Sequence, residues 1–293
     1  MVTNQAQNKK LMITVCLSHD IDRIHKSYQY FTKPFRALKS GDVLLSVKRL
    51  FSPFYERNPY WGFDKIIEIE NRYGVKSTHF ILNENIKINW LKPSTYKLAL
   101  GRYKITDKHL VRMIRYLDQN GWEIGVHGSY NSYNDVELLK KEKYMLEQIV
   151  GHQIIGIRQH YLNLSESTWE LQSKVGFLYD SSFGHTKDIG YKDNKITPFF
   201  PLNNSYFCEI PLVIMDFPFV NIKDKWKRFE EICKQCERAN GYLVINFHNN
   251  NFNELDFPGV ASDYECVIKK LKEKNARFMT LGQAYEEIIH LKK

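Results

Sequence analysis

Short apolar runs of four to seven residues alternate with longer segments of helical period along almost the whole chain. The strand-like runs are residues 12–17, 77–82, 123–127, 154–158, 177–180, 209–215, 242–247 and 277–280. Helix-like patterns lie between them at 64–73, 107–120, 135–150, 167–175, 226–240 and 260–274, and 282–291 closes the chain as a helix. Apolar strands separated by helices specify a parallel sheet, because each crossover must return the chain to the same end of the next strand. Eight such strands point to a (β/α) barrel rather than an open doubly wound sheet. No GxGxxG or Walker loop follows any of them, which argues against a nucleotide-binding sheet. Gly74, Gly121, Gly151 and Gly176 follow helical stretches, where a helix commonly ends. There is no internal repeat and no low-complexity linker, so one α/β domain over 1–293 is expected.

Two segments break the rhythm, at about 23–62 after the first strand and 83–106 after the second. The first contains a basic, partly amphipathic stretch, 33–51, with Leu38, Val43, Leu44, Val47, Leu50 and Phe51. An apolar helix face of that kind normally packs over a barrel rim. A contact with a membrane surface or lipid carrier is the alternative.

The formal net charge of +9 favours acidic partners such as phosphorylated carriers or an anionic membrane surface. The charge is scattered rather than gathered in a basic tract, so nucleic acid is not expected. Residues 1–10 are polar, 11–17 are too short for a signal-peptide core, and no run approaches eighteen apolar residues. Five cysteines without disulfide-like spacing complete the case for a cytoplasmic protein. Cys233 and Cys236 form a CxxC inside a helical pattern and read as helix residues.

In a β/α barrel, chemistry gathers at the C-terminal ends of the strands. Those ends here are Ser18-His19-Asp20-Ile21-Asp22, His127, Arg158-Gln159-His160-Tyr161, Asp180-Ser181-Ser182 and His248-Asn249-Asn250. Residues two apart on an extended segment project to one side, so Asp20 and Asp22 can face one cavity. Two close carboxylates repel, which a cation or a shared proton relieves; a plain turn is the bland reading. His127 and Asn131, four apart, would share a face if a helix followed the third strand, as metal ligands do. The bland reading is a loop histidine with Asn131 in the turn at 129–134. His248 is either a satisfied core residue or a proton donor at the barrel mouth, with Asp180 a candidate partner for its other ring nitrogen.

In their order, these motifs resemble the polysaccharide deacetylase family, that is carbohydrate esterase family four or the NodB homology domain. The match runs from about residue 11 to 291. It rests on Asp-x-Asp after the first strand, His-x-x-x-Asn after the third, Arg-x-x-Tyr after the fourth, Asp after the fifth and His after the seventh. The resemblance implies a distorted (β/α)7-8 barrel and metal-dependent removal of an acetyl or formyl group from an amino sugar. It implies Asp20 as catalytic base, held by Arg158, and His248 as general acid, tuned by Asp180. It likewise implies Asp22, His127 and Asn131 as metal ligands, with the Tyr161 backbone N–H in the oxyanion hole. The implied cofactor is one divalent ion, zinc before cobalt, nickel or magnesium.

Four positions depart from the family pattern. Ile21 separates the two aspartates, as in the branch acting on peptidoglycan and related amides. Asn131 stands where a second histidine is usual, which weakens the preference for zinc. His160 replaces a proline and could add a polar group to the cleft. No tryptophan occurs in 181–185, so the acyl pocket would be shaped differently. The expected substrate is an N-acylated sugar, nucleotide- or lipid-linked, for a surface polysaccharide. The alternatives are a two-carboxylate glycosidase using Asp20 and Asp180, and a non-catalytic carbohydrate-binding protein on the same fold.

Overall fold

Among the described residues, nine strands pair in one continuous sheet, and every ladder between them is parallel. The computed structural model describes residues 12–84, 86–92, 94–203 and 206–292; the polar stretch 1–10 and Leu11 lie outside the described residues. The strands are β1 (Thr14–Ile21), β2 (Thr78–Leu82), β3 (Glu123–Gly128), β4 (Gly156–Gln159), β5 (Tyr179–Asp180), β6 (Cys208–Glu209), β7 (Leu212–Met215), β8 (Tyr242–Asn246) and β9 (Arg277–Met279). The helices are α1 (Gln29–Lys39), α2 (Val43–Phe51), α3 (Phe63–Tyr73), α4 (Ser94–Ala99), α5 (Lys108–Gln119), α6 (Val136–Val150), α7 (Thr168–Val175), α8 (Asp216–Asn221), α9 (Lys225–Ala239), α10 (Val260–Glu273) and α11 (Leu281–Lys292).

The spatial order is β6-β5-β4-β3-β2-β1-β8-β7, with β9 beside the first half of β1. β1 is the axis of the molecule, and all eight of its residues are buried, as expected of a parallel strand covered on both faces. The apolar run at 209–215 does not form one strand. Pro211 has no N–H to donate to a ladder, and the run divides there into β6, which pairs with β5, and β7, which pairs with β8. The two edges of the sheet are therefore separated by only Ile210 and Pro211. The sheet curls until its edges meet in one stretch of chain, which is the distorted (β/α) barrel expected from the sequence.

Helix ends follow local chemistry. α6 begins on Asp135, whose carboxylate accepts from Leu138 N at 3.0 Å, and ends on Gly151 in the left-handed conformation at φ +85°. Cys233 and Cys236 are buried, unpaired residues of α9. No helix among the described residues is long and apolar enough to cross a membrane.

The segment 23–62 folds as a helical hairpin, α1 and α2 turning at Gly41. Its apolar residues were expected to pack on the barrel rim; instead Phe35, Leu38, Leu44, Leu50 and Phe51 are all exposed. The face turned to the barrel carries Arg49 and follows the buried Lys26. Both cations converge on Asp256, with Lys26 Nζ at 2.9 Å and Arg49 Nε at 3.2 Å from its carboxylate. The polar anchor decided which side of the hairpin faces inward.

Candidate active site

Strand alternation sorts the residues at the end of β1. His19 turns outward to the helix layer, where Nε2 meets Glu70 of α3 at 2.9 Å and the Tyr264 hydroxyl of α10 at 3.1 Å. Its neighbours Ser18 and Asp20 turn the other way, and Asp22 follows on the same side. Arg158, fully buried on β4, lies beneath them. Its Nη1 donates to Ser18 Oγ at 2.7 Å, to Asp20 Oδ1 at 3.0 Å and to Asn246 Oδ1 at 2.9 Å. Its Nε and Nη2 are taken by Ser181 O and Oγ, both at 2.9 Å. Asn246 Nδ2 donates to the second Asp20 oxygen at 3.0 Å. Burial alone would raise the Asp20 carboxyl, but Arg158, His127 and His248 outweigh it and hold it below the usual carboxylate range. Asp20 is thus an ionised, immobilised acceptor.

Asp22, His127 and His160 form the tightest cluster. One ligand atom from each lies within 4.8 Å of the others. His127 Nε2 is 3.3 Å from Asp22 Oδ1, and His160 Nε2 is 3.5 Å from Asp22 Oδ2. His127 Nδ1 contacts the Arg158 carbonyl at 2.8 Å. A carbonyl only accepts, so that ring nitrogen carries the hydrogen, and in the neutral ring Nε2 is bare. Asp22 Oδ1 is itself buried without a hydrogen bond among the described residues. His127 Nε2 and Asp22 Oδ1 face each other across 3.3 Å, an arrangement that a cation satisfies. One carboxylate and two imidazoles are a fitting donor set for a divalent transition ion. Behind the cluster, Glu84 Oε2 lies 3.6 Å from His160 Nδ1, where a carboxylate orients a liganding imidazole. Arg102 also reaches the cluster, with Nη1 donating to Asp22 O at 2.9 Å and Nη2 at 3.4 Å from His160 Nε2.

Asn131 reaches the same cavity by a different local geometry from the one expected. After β3 the chain enters a turn and then a 3-10 segment, Ser132–Asn134, instead of an α-helix. The helical i, i+4 geometry with His127 therefore does not arise, and Asn131 is exposed on the cavity wall. His160, at the proline position of the third motif, stands beside Asp22 and His127.

Asp180 is not the partner of His248. It lies on β5, and β5 and β8 are on opposite sides of β1. There it accepts from Ser182 Oγ at 2.6 Å and from Trp169 Nε1 at 3.2 Å, beside the buried Glu209. Burial pushes both carboxyls upward. The carboxylate on His248 is Asp216, which directly follows β7, the strand paired with β8. Asp216 Oδ1 is 2.8 Å from His248 Nδ1, and its Oδ2 accepts from His248 N and Asn251 Nδ2, each at 2.8 Å. Burial would depress the His248 pKa; Asp216, then Asp22 and Asp20, outweigh it and raise it to about 10. The free Nε2 points to Asp20 Oδ2, 4.0 Å away.

Tyr161 and Leu162 are both in the left-handed region, at φ +60° and +54°, a strain that concentrates at ligand sites. Asp20, Asp22, His127, His160, Tyr161 and His248 all line one open cavity of about 1570 Å³. The residues that sequence reasoning overlooked had weak signals. Asp216 directly follows a strand-like run, Glu84 lies two residues past β2, and Asn246 shares its strand face with His248.

No family model matches the chain, and no curated protein matches it in sequence. Among solved structures, a Mycobacterium smegmatis protein assigned as a polysaccharide deacetylase superposes with a TM-score of 0.59 at 17% identity, covering 97% of this chain and 93% of that one. That likeness establishes the fold: this chain has the NodB-type barrel of polysaccharide deacetylases. A chitin deacetylase from Colletotrichum lindemuthianum follows at TM-score 0.46 and 12% identity, over 92% of this chain and 86% of that one. A family 4 carbohydrate esterase from Bacillus anthracis reaches 0.44 and 13%, over 92% and 81%.

Proposed function

We propose that the protein is a metal-dependent hydrolase that removes an N-acyl group, acetyl or formyl, from an amino sugar. The observation that carries this reading is the unsatisfied Asp22 Oδ1 facing His127 Nε2, with His160 beside them. Asp22, His127 and His160 would hold the ion, and their two imidazoles favour zinc, cobalt or nickel over magnesium. When bound, such an ion supplies the Lewis acidity that polarises an acyl carbonyl and acidifies water.

The chain's own groups do the rest. Asp20, fixed by Arg158 and Asn246, accepts the proton of the attacking water at Oδ2. His248, protonated through the neutral range by Asp216, donates from Nε2 to the leaving amine. Base and acid converge on one point, since His248 Nε2 and His127 Nε2 lie 4.0 and 3.9 Å from the same Asp20 oxygen. The Tyr161 backbone N–H is the candidate oxyanion donor, and one such donor typically contributes roughly 3–4 kcal/mol. Arg23, Lys92 and Lys187 also line the cavity, which suits the phosphates of a nucleotide- or lipid-linked precursor.

The test is metal content beside hydrolysis. Wild type should retain about one divalent ion per chain after dialysis and deacylate an N-acetylated or N-formylated sugar nucleotide. Asp22→Asn, His127→Ala and His160→Ala should each lose the ion and the activity together. Unchanged metal content in all three would remove the reading. Arg102 favours a second reading: its guanidinium already offsets the Asp22 charge, as in a metal-free sugar-binding cleft. Tight sugar binding that survives chelation, with no hydrolysis, would select it.

A further inference from the structure

The α1–α2 hairpin is amphipathic in the opposite sense from a helix pair that packs on a barrel. Its cationic groups anchor it to the body. Arg49 donates from Nε and Nη2 to Leu255 O at 3.2 and 3.0 Å, beside its ion pair with Asp256. Lys33 reaches Asp256 O at 3.3 Å and lies 3.6 Å from the Phe257 ring centre. Its large apolar side chains point away. Phe31, Phe35 and Leu38 recur at helical spacing on α1, and Val43, Val47 and Leu50 do so on α2, flanked by Leu44, Phe51 and Phe54; every one of them is exposed. Phe31 and Phe54 expose 78% and 84% of their surface. This many large apolar side chains exposed on one hairpin of a folded chain marks a contact surface.

The charge around that face selects what covers it. Residues 29–55 contain five basic side chains, Lys33, Arg36, Lys39, Lys48 and Arg49, against one acidic, Asp42. Asp42 is occupied as the N-cap of α2, accepting from Leu45 N at 2.9 Å. Arg36, Lys39 and Lys48 are exposed between the apolar residues. A second copy of the hairpin would bring like charges together. A sheet of phosphates above hydrocarbon matches both components, with rings at the headgroup boundary and cationic stems reaching up to the phosphates.

The hairpin also hangs from the loops that build the cavity. Arg23 lines the cavity and α1 starts at Gln29; Asn250 and Asn251 line it and Leu255–Asp256 grip Arg49. We propose that the α1–α2 hairpin is an interfacial docking surface for an anionic lipid bilayer, holding the cavity mouth beside the membrane. The docking stands independently of the hydrolase reading. Only its corollary, that the sugar is presented on a lipid, rests on that reading.

Vesicle sedimentation tests it, with phosphatidylglycerol–phosphatidylcholine vesicles against phosphatidylcholine alone. Wild type should pellet with the anionic vesicles, and Phe35→Ser/Leu44→Ser/Phe51→Ser should bind them at least tenfold more weakly. Because these side chains are exposed, the triple variant should keep the wild-type circular dichroism and melting midpoint. Tyr144→Ser, an exposed aromatic on α6, should bind like wild type. Binding should be equal with and without added zinc, so a failed metal test leaves this one intact. Wild type that ignores anionic vesicles would overturn the proposal, as would a triple variant that binds equally. A wild-type dimer that the triple variant makes monomeric, without vesicle binding, would assign the face to a second copy and overturn it as well.

Discussion

Asp216 grips both the ring and the backbone of His248, so it sets the orientation and the protonation of that imidazole together. Replacing it with asparagine removes the charge that raises the imidazole pKa. The proton is then lost at lower pH, and the alkaline limb of the kcat profile should move to lower pH, with kcat reduced about tenfold to a hundredfold. A pH–rate series on wild type and Asp216→Asn checks both effects. Asn131→Ala should leave metal stoichiometry at the wild-type value under dialysis conditions that strip His160→Ala. Asp20, Asp22, His127, Arg158 and His248 could be found in the sequence because each ends a recognisable strand. The partner of His248 could not, since strand order, and not chain order, puts Asp216 beside it and Asp180 across β1. His160 was visible only as an oddity, because its place beside Asp22 depends on the strained turn that follows β4, which local periodicity does not encode.

At the level of elements, most strands and helices appear within a few residues of where apolar periodicity puts them. Two that do not are instructive. The run at 209–215 has the composition of one strand, and a single proline divides it between two neighbours. The hairpin has the pattern of amphipathic helices, but a pattern gives two faces without saying which is inside. Asp256 settles that, since Lys26, Arg49 and the Tyr60 hydroxyl all reach its carboxylate within 3.2 Å. Asp256→Ala leaves Lys26 buried without that partner and should destabilise the protein by about 3–5 kcal/mol. Chemical denaturation measures the loss, and limited proteolysis should cut first within residues 29–55.

For the molecule as a whole, stability should carry the mark of one buried carboxyl. Glu142 lies under the β3 loop, accepting from Ser129 N at 3.2 Å, and burial raises its pKa to about 8. Unfolded, it ionises near the ordinary value of 4.5. The folded state therefore holds a proton that the unfolded state releases, so stability contributed below pH 4.5 is lost progressively up to about pH 8. Glu142→Gln should become more stable relative to wild type as pH rises from 5 to 8, by on the order of a few kcal/mol; denaturation midpoints at the two pH values check this. A second global property follows from the short link at Ile210 and Pro211. Where a barrel closes by hydrogen bonds, its edges can slide past one another two residues at a time, and its bore adjusts by stagger. Here the circumference is set by a count of peptide units. A glycine inserted between Ile210 and Pro211 would therefore act as a change of calibre, moving β6 and β5 with Asp180 relative to β7 while β8 and His248 stay paired to β1, although a linear reading would file it as a harmless lengthening of a loop.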